Sequence, residues 1–537
     1  MSIHLEQHKW SRKDRNTLYK SIKESLDMRS TQMYYPIMSL YFYIHNTKDS
    51  HKCIDFKRDY YLQKITEIQK SYETNSNSIV KGDIYNTSQK CIDNKEIFCK
   101  SIPLLDPIHY ILNNYCTYYK RNPLLPSNYI ANTQKKINNF DNMAYIDVFC
   151  SYLFSELTIK NKLPCFPIYY GSVNGLKNIN YDVTDDIDSF DMNEEFHKTL
   201  DKSFILKKIS VEDFDKEYTN TSDKSNKSSD SIESIPRSDI SDSVLSESSD
   251  NSSLDSYDFS DIIIAELKDC PTICLFIEKL EGTLDELIDN SLCLDEIKSC
   301  YFQVAFSLAY LQKFFGFTHN DLHISNIMYS KTEKKYIYYK FNNIYFKVPT
   351  YGKIFKIIDF GRSIINFKKK IFMNDAFSKY GEAEGQYKYS SSIPFMKPTN
   401  GNEPSYFFDL CRLSITILDE VRDNYEDDID ENYEEDIVKK YDDLMEFLKY
   451  TTTDMNNNRL DKQDDDFSLY INISKYAKNS LPRDILINDF FKEYRVKKSN
   501  FPLKTCYSLS LDNITEKKIN KDETRTDEKK NRKRLRI

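Results

Sequence analysis

Apolar residues along the chain fall into distinct spacings, and each spacing predicts a different element. Residues 1–75 carry periodic apolar positions among charges and predict a mostly helical N-terminal extension. Short alternating runs over 76–105, including Glu96-Ile97-Phe98-Cys99-Lys100, predict strands. Helical periodicity returns over 106–175 and ends at Leu163-Pro164-Cys165-Phe166-Pro167. A buried strand is expected at Cys270–Glu278, broken by Gly282-Thr283 and followed by a helix from Leu284. Ile297, Tyr301, Val304, Leu308 and Leu311 share one helical face, so Asp295–Phe314 predicts an amphipathic helix. Tyr336–Lys347 predicts a hairpin, Phe355–Asp359 a short apolar strand, and Tyr406–Glu420 a further amphipathic helix.

The pattern fails between about 210 and 260. Ser222–Ser260 holds 16 serines among many Asp and Glu, with few large apolar residues. Such a stretch cannot bury enough surface to offset its chain entropy, so disorder is expected there. Asn424–Asp443 is acidic and predicts a solvated helix or loop. Residues 511–537 close in a basic run, Lys529-Lys530-Asn531-Arg532-Lys533-Arg534, which suits a nuclear-import signal, a polyanion contact or a plain solvated tail.

Composition narrows the function class. Among 537 residues the net charge is −8, which argues against whole-surface nucleic-acid binding. Nowhere does the chain approach the roughly 20 apolar residues of a membrane-spanning helix, and no signal peptide is visible at Ser2–Arg15. The 12 cysteines show no paired spacing, so free thiols in a reducing, cytoplasmic compartment are expected. Glycine occurs only 10 times, so each position carries weight.

The chemistry concentrates in Thr318-His319-Asn320-Asp321-Leu322-His323-Ile324-Ser325-Asn326, followed 33 residues after Asn326 by Asp359-Phe360-Gly361. Phosphoryl transfer needs one group to orient the attacking hydroxyl and hard oxygen ligands for a divalent metal. Asp321 suits the first role; Asn326 and Asp359 suit the second. The constellation resembles the protein-kinase superfamily, whose catalytic loop reads H-R-D-L-x-x-x-N and whose metal loop reads D-F-G. With Ile358-Asp359-Phe360-Gly361-Arg362 and Phe408-Asp409-Leu410-Cys411-Arg412, it looks like the serine/threonine kinases attributed to large cytoplasmic DNA viruses. The resemblance covers roughly 79–200 and 262–420.

That resemblance implies an α+β, two-lobed kinase-like fold: a small lobe over 76–277 carrying the Ser/Asp-rich insertion, and a large lobe over 278–510. It implies ATP and Mg²⁺ as cofactors, with the backbone of Glu278 and Leu280 at the adenine edge. Strand alternation puts Phe98 and Lys100 on one face, making Lys100 the candidate for the α- and β-phosphates ahead of Lys135 and Lys136. Glu156, on a helical pattern, is the expected partner of that lysine, and Gly82 the remnant of a phosphate-covering glycine loop. Asp409 is expected to anchor the catalytic loop. Two positions depart from the family: Asn320 replaces an arginine, and His323 replaces a lysine that touches the transferring phosphate. His323 widens the acceptor class to small molecules, and the glycine-poor loop leaves a non-catalytic scaffold open. The leading expectation is a serine/threonine protein kinase acting on a protein hydroxyl, with Ser222–Ser260 a candidate target in the chain itself. If viral, its place is the infected host cell or the virion.

Overall fold

The computed structural model describes residues 3–42, 54–115, 132–190, 192–210, 233–234, 261–291, 293–379, 381–388, 403–426, 434–462 and 467–511. The serine-rich segment, apart from Glu233–Ser234, and the basic run near the C-terminus lie outside these residues. The fold is α+β with antiparallel sheets and several long helices. Along the N-terminal half run α1 (Arg12–Leu26), β1 (Arg29–Gln32), β2 (Tyr60–Ser71), β3 (Ser78–Asn86), β4 (Cys91–Pro103), α2 (Met143–Ile159), β5 (Tyr169–Asp182), β6 (Phe204–Ser210) and β7 (Asp261–Glu278). The strands form one sheet in the order β1-β5-β7-β4-β3-β2, with β6 also paired to β7.

The expectation of a mostly helical 1–75 is corrected here. Helix α1 is capped by Ser11, whose hydroxyl accepts from the Asp14 amide, but Tyr60–Ser71 is an edge strand. The cause is visible in the pairing of β2 with β3. Register shifts at Leu62/Lys64, Ile65/Glu67 and Ile68/Lys70 each displace the alternation. Bulges of this kind stretch the strand's period of two into a spacing of three, so Leu62, Ile65 and Ile68 imitate a helical stripe.

Strand β3 alternates cleanly between buried and half-buried positions, and β4 places Ile97 and Cys99 on the same inner face. Leu18, Ile22 and Leu26 of α1 pack there with Leu62, Val80, Ile84 and Phe276. Helix α2 covers the opposite face and is buried along most of its length. Thus Phe98 and Lys100, one step out of phase with Ile97 and Cys99, point away from α1 and towards a cleft.

The C-terminal half is built from α3 (Leu284–Asn290), α4 (Leu294–Phe315), β8 (Ile327–Lys331), β9 (Tyr336–Phe341), β10 (Ile344–Pro349), β11 (Lys353–Ile357), α5 (Phe408–Tyr425), α6 (Glu435–Thr451) and α7 (Phe467–Tyr476). Helix α4 ends at Gly316 in a left-handed conformation (φ +53°), which suits glycine at a helix C-terminus. Strands β8 and β11 pair antiparallel, Ile327 opposite Ile357, so the segments just outside them meet at one end. Strands β9 and β10 form the expected hairpin. No helix among the described residues is long and apolar enough to cross a membrane, and the described cysteines are free thiols.

Candidate active site

A cleft of about 620 Å³ lies between the large sheet and the helical half, lined by Lys100, Asp147, Glu278, Leu280, Asn326 and Asp359 among others. Lys100 is its electrostatic centre. Its Nζ contacts Asp147 Oδ2 at 2.8 Å and Asp359 Oδ1 at 2.9 Å. Burial opposes the ammonium charge, but Asp147 and then Asp359 hold Lys100 well above the ordinary lysine range. Burial also pushes the Asp147 carboxyl up. Asp359 is pushed up by burial too, yet the charge of Lys100 outweighs this and brings it down to about 2. Asp359 is therefore an ionised carboxylate near neutral pH.

Asp147 was missed in the sequence, and it replaces Glu156. Nine residues separate them on α2, about 900° of helical rotation, which places them on opposite faces. Glu156 pairs instead with Lys160 at 2.6 Å. Asp147 Oδ1 also accepts from the Phe360 amide at 3.0 Å, so one carboxylate holds both the lysine and the Asp359 loop. The available signal was an isolated acid in the apolar run Ala144–Leu153: a buried charge demands a partner.

Gly82 does not reach the cleft. It sits in mid-strand, where an added Cβ would meet Leu62 Cδ1 at 2.7 Å and Ile97 Cδ1 at 2.8 Å. The turn that covers the cleft is 72–77, without glycine, and contributes Tyr72, Asn75 and Asn77 to the lining. It is tied down by Asn77 Oδ1, which accepts from the Ser101 amide, and by Lys177 Nζ, which donates to the Ser76 carbonyl.

The loop 318–326 is braced from two sides, by Asp409 and by Ile358. The buried Asp409 carboxylate accepts from the His319 and Asn320 amides, each at 2.9 Å. His319 Nε2 meets the Ile358 carbonyl at 2.9 Å. The Ile358 amide donates to the Asn326 carbonyl at 3.1 Å, tying the Asn326 and Asp359 segments together. Asn320 and Asp359 both adopt positive φ, +65° and +60°. Such backbone persists only where its surroundings dictate it. Phe360 packs edge-on to Phe154 at 5.0 Å and tilted to His319 at 5.7 Å.

Asn326 Nδ2 donates to the Asp321 carbonyl (2.8 Å) and faces His323 Nε2 (2.9 Å). Both amide hydrogens are thereby used, which leaves its oxygen as the group to offer a ligand. Burial, ahead of any charge, lowers the His323 pKa, so the ring is an orienting acceptor rather than a standing cation. At the far end of β7, the Glu278 amide donates to the Ile168 carbonyl at 2.8 Å. Its side chain accepts from the Ile168 amide at 3.1 Å and lies 3.5 Å from Lys356. Its position at the cleft is fixed by these ties.

Two curated proteins match parts of the chain. An alignment of 129 positions, covering 22% of the chain, is 36% identical to a "probable serine/threonine-protein kinase" of Dictyostelium discoideum. An alignment of 75 positions, covering 13% of the chain, is 41% identical to a serine/threonine-protein kinase candidate of Acanthamoeba polyphaga mimivirus. The chain spans only 11% and 19% of those relatives' lengths. No family model matches it. These matches support a kinase-like function over the stretches they cover.

Proposed function

We propose that this chain is a serine/threonine protein kinase of two-lobed kinase-like fold, transferring the γ-phosphate of MgATP to a protein hydroxyl. The observation that carries the reading is Lys100 held between Asp147 and Asp359 on the wall of a cleft that Asn326 also enters. Phosphoryl transfer is positioning and charge stabilisation more than covalent chemistry, and a fixed cation beside an ionised carboxylate supplies both.

The residues fit Mg²⁺. Asp359 is an ionised carboxylate, and Asn326 has its amide hydrogens occupied and its oxygen to offer. Among the described residues no group of three or more His, Cys, Asp or Glu could hold a metal. Two oxygen ligands nonetheless suit Mg²⁺, which keeps several waters and binds through substrate phosphates. When bound, the ion would neutralise charge on the phosphate oxygens. In this reading Lys100 contacts the α- and β-phosphates, Asp147 and not Glu156 positions it, and Asp321 accepts the acceptor's proton. The backbone at Glu278 and Leu280 meets the adenine. His323 acts by holding the Asn326 amide.

Calorimetric titration with ATP, with and without Mg²⁺, tests the site. Wild-type binding should tighten with Mg²⁺, and Asp359→Asn should abolish that dependence while still melting cooperatively. Binding that ignores Mg²⁺ in the wild type would remove the assignment.

A further inference from the structure

Asp321 is gripped through one oxygen. Arg362 Nη1 lies 3.5 Å and the Tyr470 hydroxyl 3.3 Å from the same atom, Oδ1. Among the described residues the side-chain bonds to Asp321 all go to Oδ1, and none goes to Oδ2. A carboxylate held this way keeps its second oxygen for an incoming hydroxyl.

The grip is itself constructed. Arg362 follows Gly361, so the turn that sets Asp359 also sets Arg362. Its carbonyl accepts from Asn320 Nδ2 at 3.0 Å, and its Nε lies 3.3 Å from Glu382. Its guanidinium lies 5.9 Å from the centre of the Tyr470 ring, which Arg412 also approaches at 5.1 Å. Asn320, standing where the kinase resemblance leads one to expect arginine, thus braces the backbone of a different arginine. His323, which stands where the kinase resemblance leads one to expect lysine, has its Nε2 turned to Asn326.

We propose that Arg362 is the acceptor-side cation of this site: it pins Asp321 by Oδ1, leaves Oδ2 for the acceptor hydroxyl, and stabilises the phosphoryl group in transit. The proposal rests on the phosphotransferase reading above. In the step it serves, the acceptor oxygen bonds to the γ-phosphorus as the bond from that phosphorus to the β,γ-bridging oxygen breaks. The broken bond's electron pair leaves with ADP, the acceptor proton passes to Asp321, and Arg362 is unchanged. Guanidinium holds its charge throughout the accessible pH range, which imidazole does not.

Steady-state phosphotransfer with Arg362→Gln, Arg362→Lys and the double variant Arg362→Gln/His323→Lys tests this, each variant first checked for cooperative melting. Arg362→Gln should lower kcat about 100-fold while KM for ATP changes by less than about threefold, since the lost charge acts in the transition state. Arg362→Lys should retain activity within about tenfold of wild type, and the added lysine at 323 should restore at least about tenfold to the Gln variant. A role confined to structure would not be rescued by a cation placed elsewhere. Full activity in Arg362→Gln, or a loss that neither lysine repairs, overturns the proposal while leaving the kinase reading intact. If Arg362→Gln does not fold, Arg362→Lys alone decides: a loss beyond about tenfold overturns the proposal. A wild-type chain that transfers no phosphate removes the kinase reading, and this inference with it.

Discussion

Replacing Asp147 by alanine removes two contacts at once. The Phe360 amide loses its 3.0 Å acceptor, and Lys100 loses one of its two carboxylates. An unpaired buried N–H costs about 1–3 kcal/mol. Breaking a buried ion pair by deleting one partner costs about 3–5 kcal/mol. The lower part of that second range applies, because Lys100 keeps Asp359 at 2.9 Å and its side chain is 23% exposed. The total is about 4 kcal/mol, which at the shallow slope of larger domains lowers Tm by about 8 °C. Function suffers separately. Freed from Asp147, Lys100 turns wholly to Asp359 and competes for the carboxylate proposed to hold Mg²⁺. Misplacement on that scale costs about 100-fold in turnover. Asp147→Asn keeps an acceptor for Phe360 and should show roughly half the stability loss with a comparable loss of turnover. Glu156→Gln is the contrast: its bond to the half-exposed Lys160 is worth at most about 1 kcal/mol, so Tm and turnover should barely move. Scanning calorimetry and phosphotransfer assays on the three variants read both effects. If Glu156→Gln loses activity while Asp147→Ala keeps it, the placement of α2 against Lys100 is wrong.

Gly82→Val forces side-chain atoms against Leu62 and Ile97 in the core, so it should cost about 1–3 kcal/mol and leave ATP affinity unchanged in fully folded protein; weakened ATP binding would return Gly82 to the nucleotide site. Asp409→Ala strips the acceptor from two buried amides, a loss of about 4 kcal/mol; hydrogen exchange over 318–322 should accelerate, and unchanged protection there would refute the anchor. Burial, helped by the nearby Arg58, lowers His8 from 6.5 to about 4. The folded state therefore binds fewer protons than the unfolded state between those values. Stability should fall as pH drops from about 6.5 to about 4 and then level off. His8→Gln should flatten that part of the Tm–pH curve; a curve identical to wild type would exclude His8 as its source.

What could be read in the sequence was local. Asp321, Asn326 and Asp359 lie within short segments whose spacing survives folding, and the structure brings Asn326 and Asp359 together through one backbone bond. Lys100 was legible because strand alternation is strict at Ile97–Lys100. Asp409 was legible as an acid opening an apolar helix. Glu156 and Asp147 show where such reading stops. Both lie on one helix, and only the packing of α2 against the sheet decides which face meets Lys100. Strand β2 was hidden for a different reason: bulges in Tyr60–Ser71 gave it the spacing of a helix. Gly82 misled because glycine permits close packing as readily as it permits a phosphate loop, and the turn over the cleft uses Asn and Ser instead.

The most direct test is transfer of labelled phosphate from [γ-³²P]ATP with Mg²⁺ to a mixed protein extract and to the chain itself, comparing wild type with Asp321→Asn, with phosphosites mapped by mass spectrometry. The account predicts label on serine or threonine with wild type, and a loss of about 100-fold or more in an Asp321→Asn protein that still binds ATP. Equal transfer by the two proteins, or transfer by neither to any protein acceptor, would contradict it.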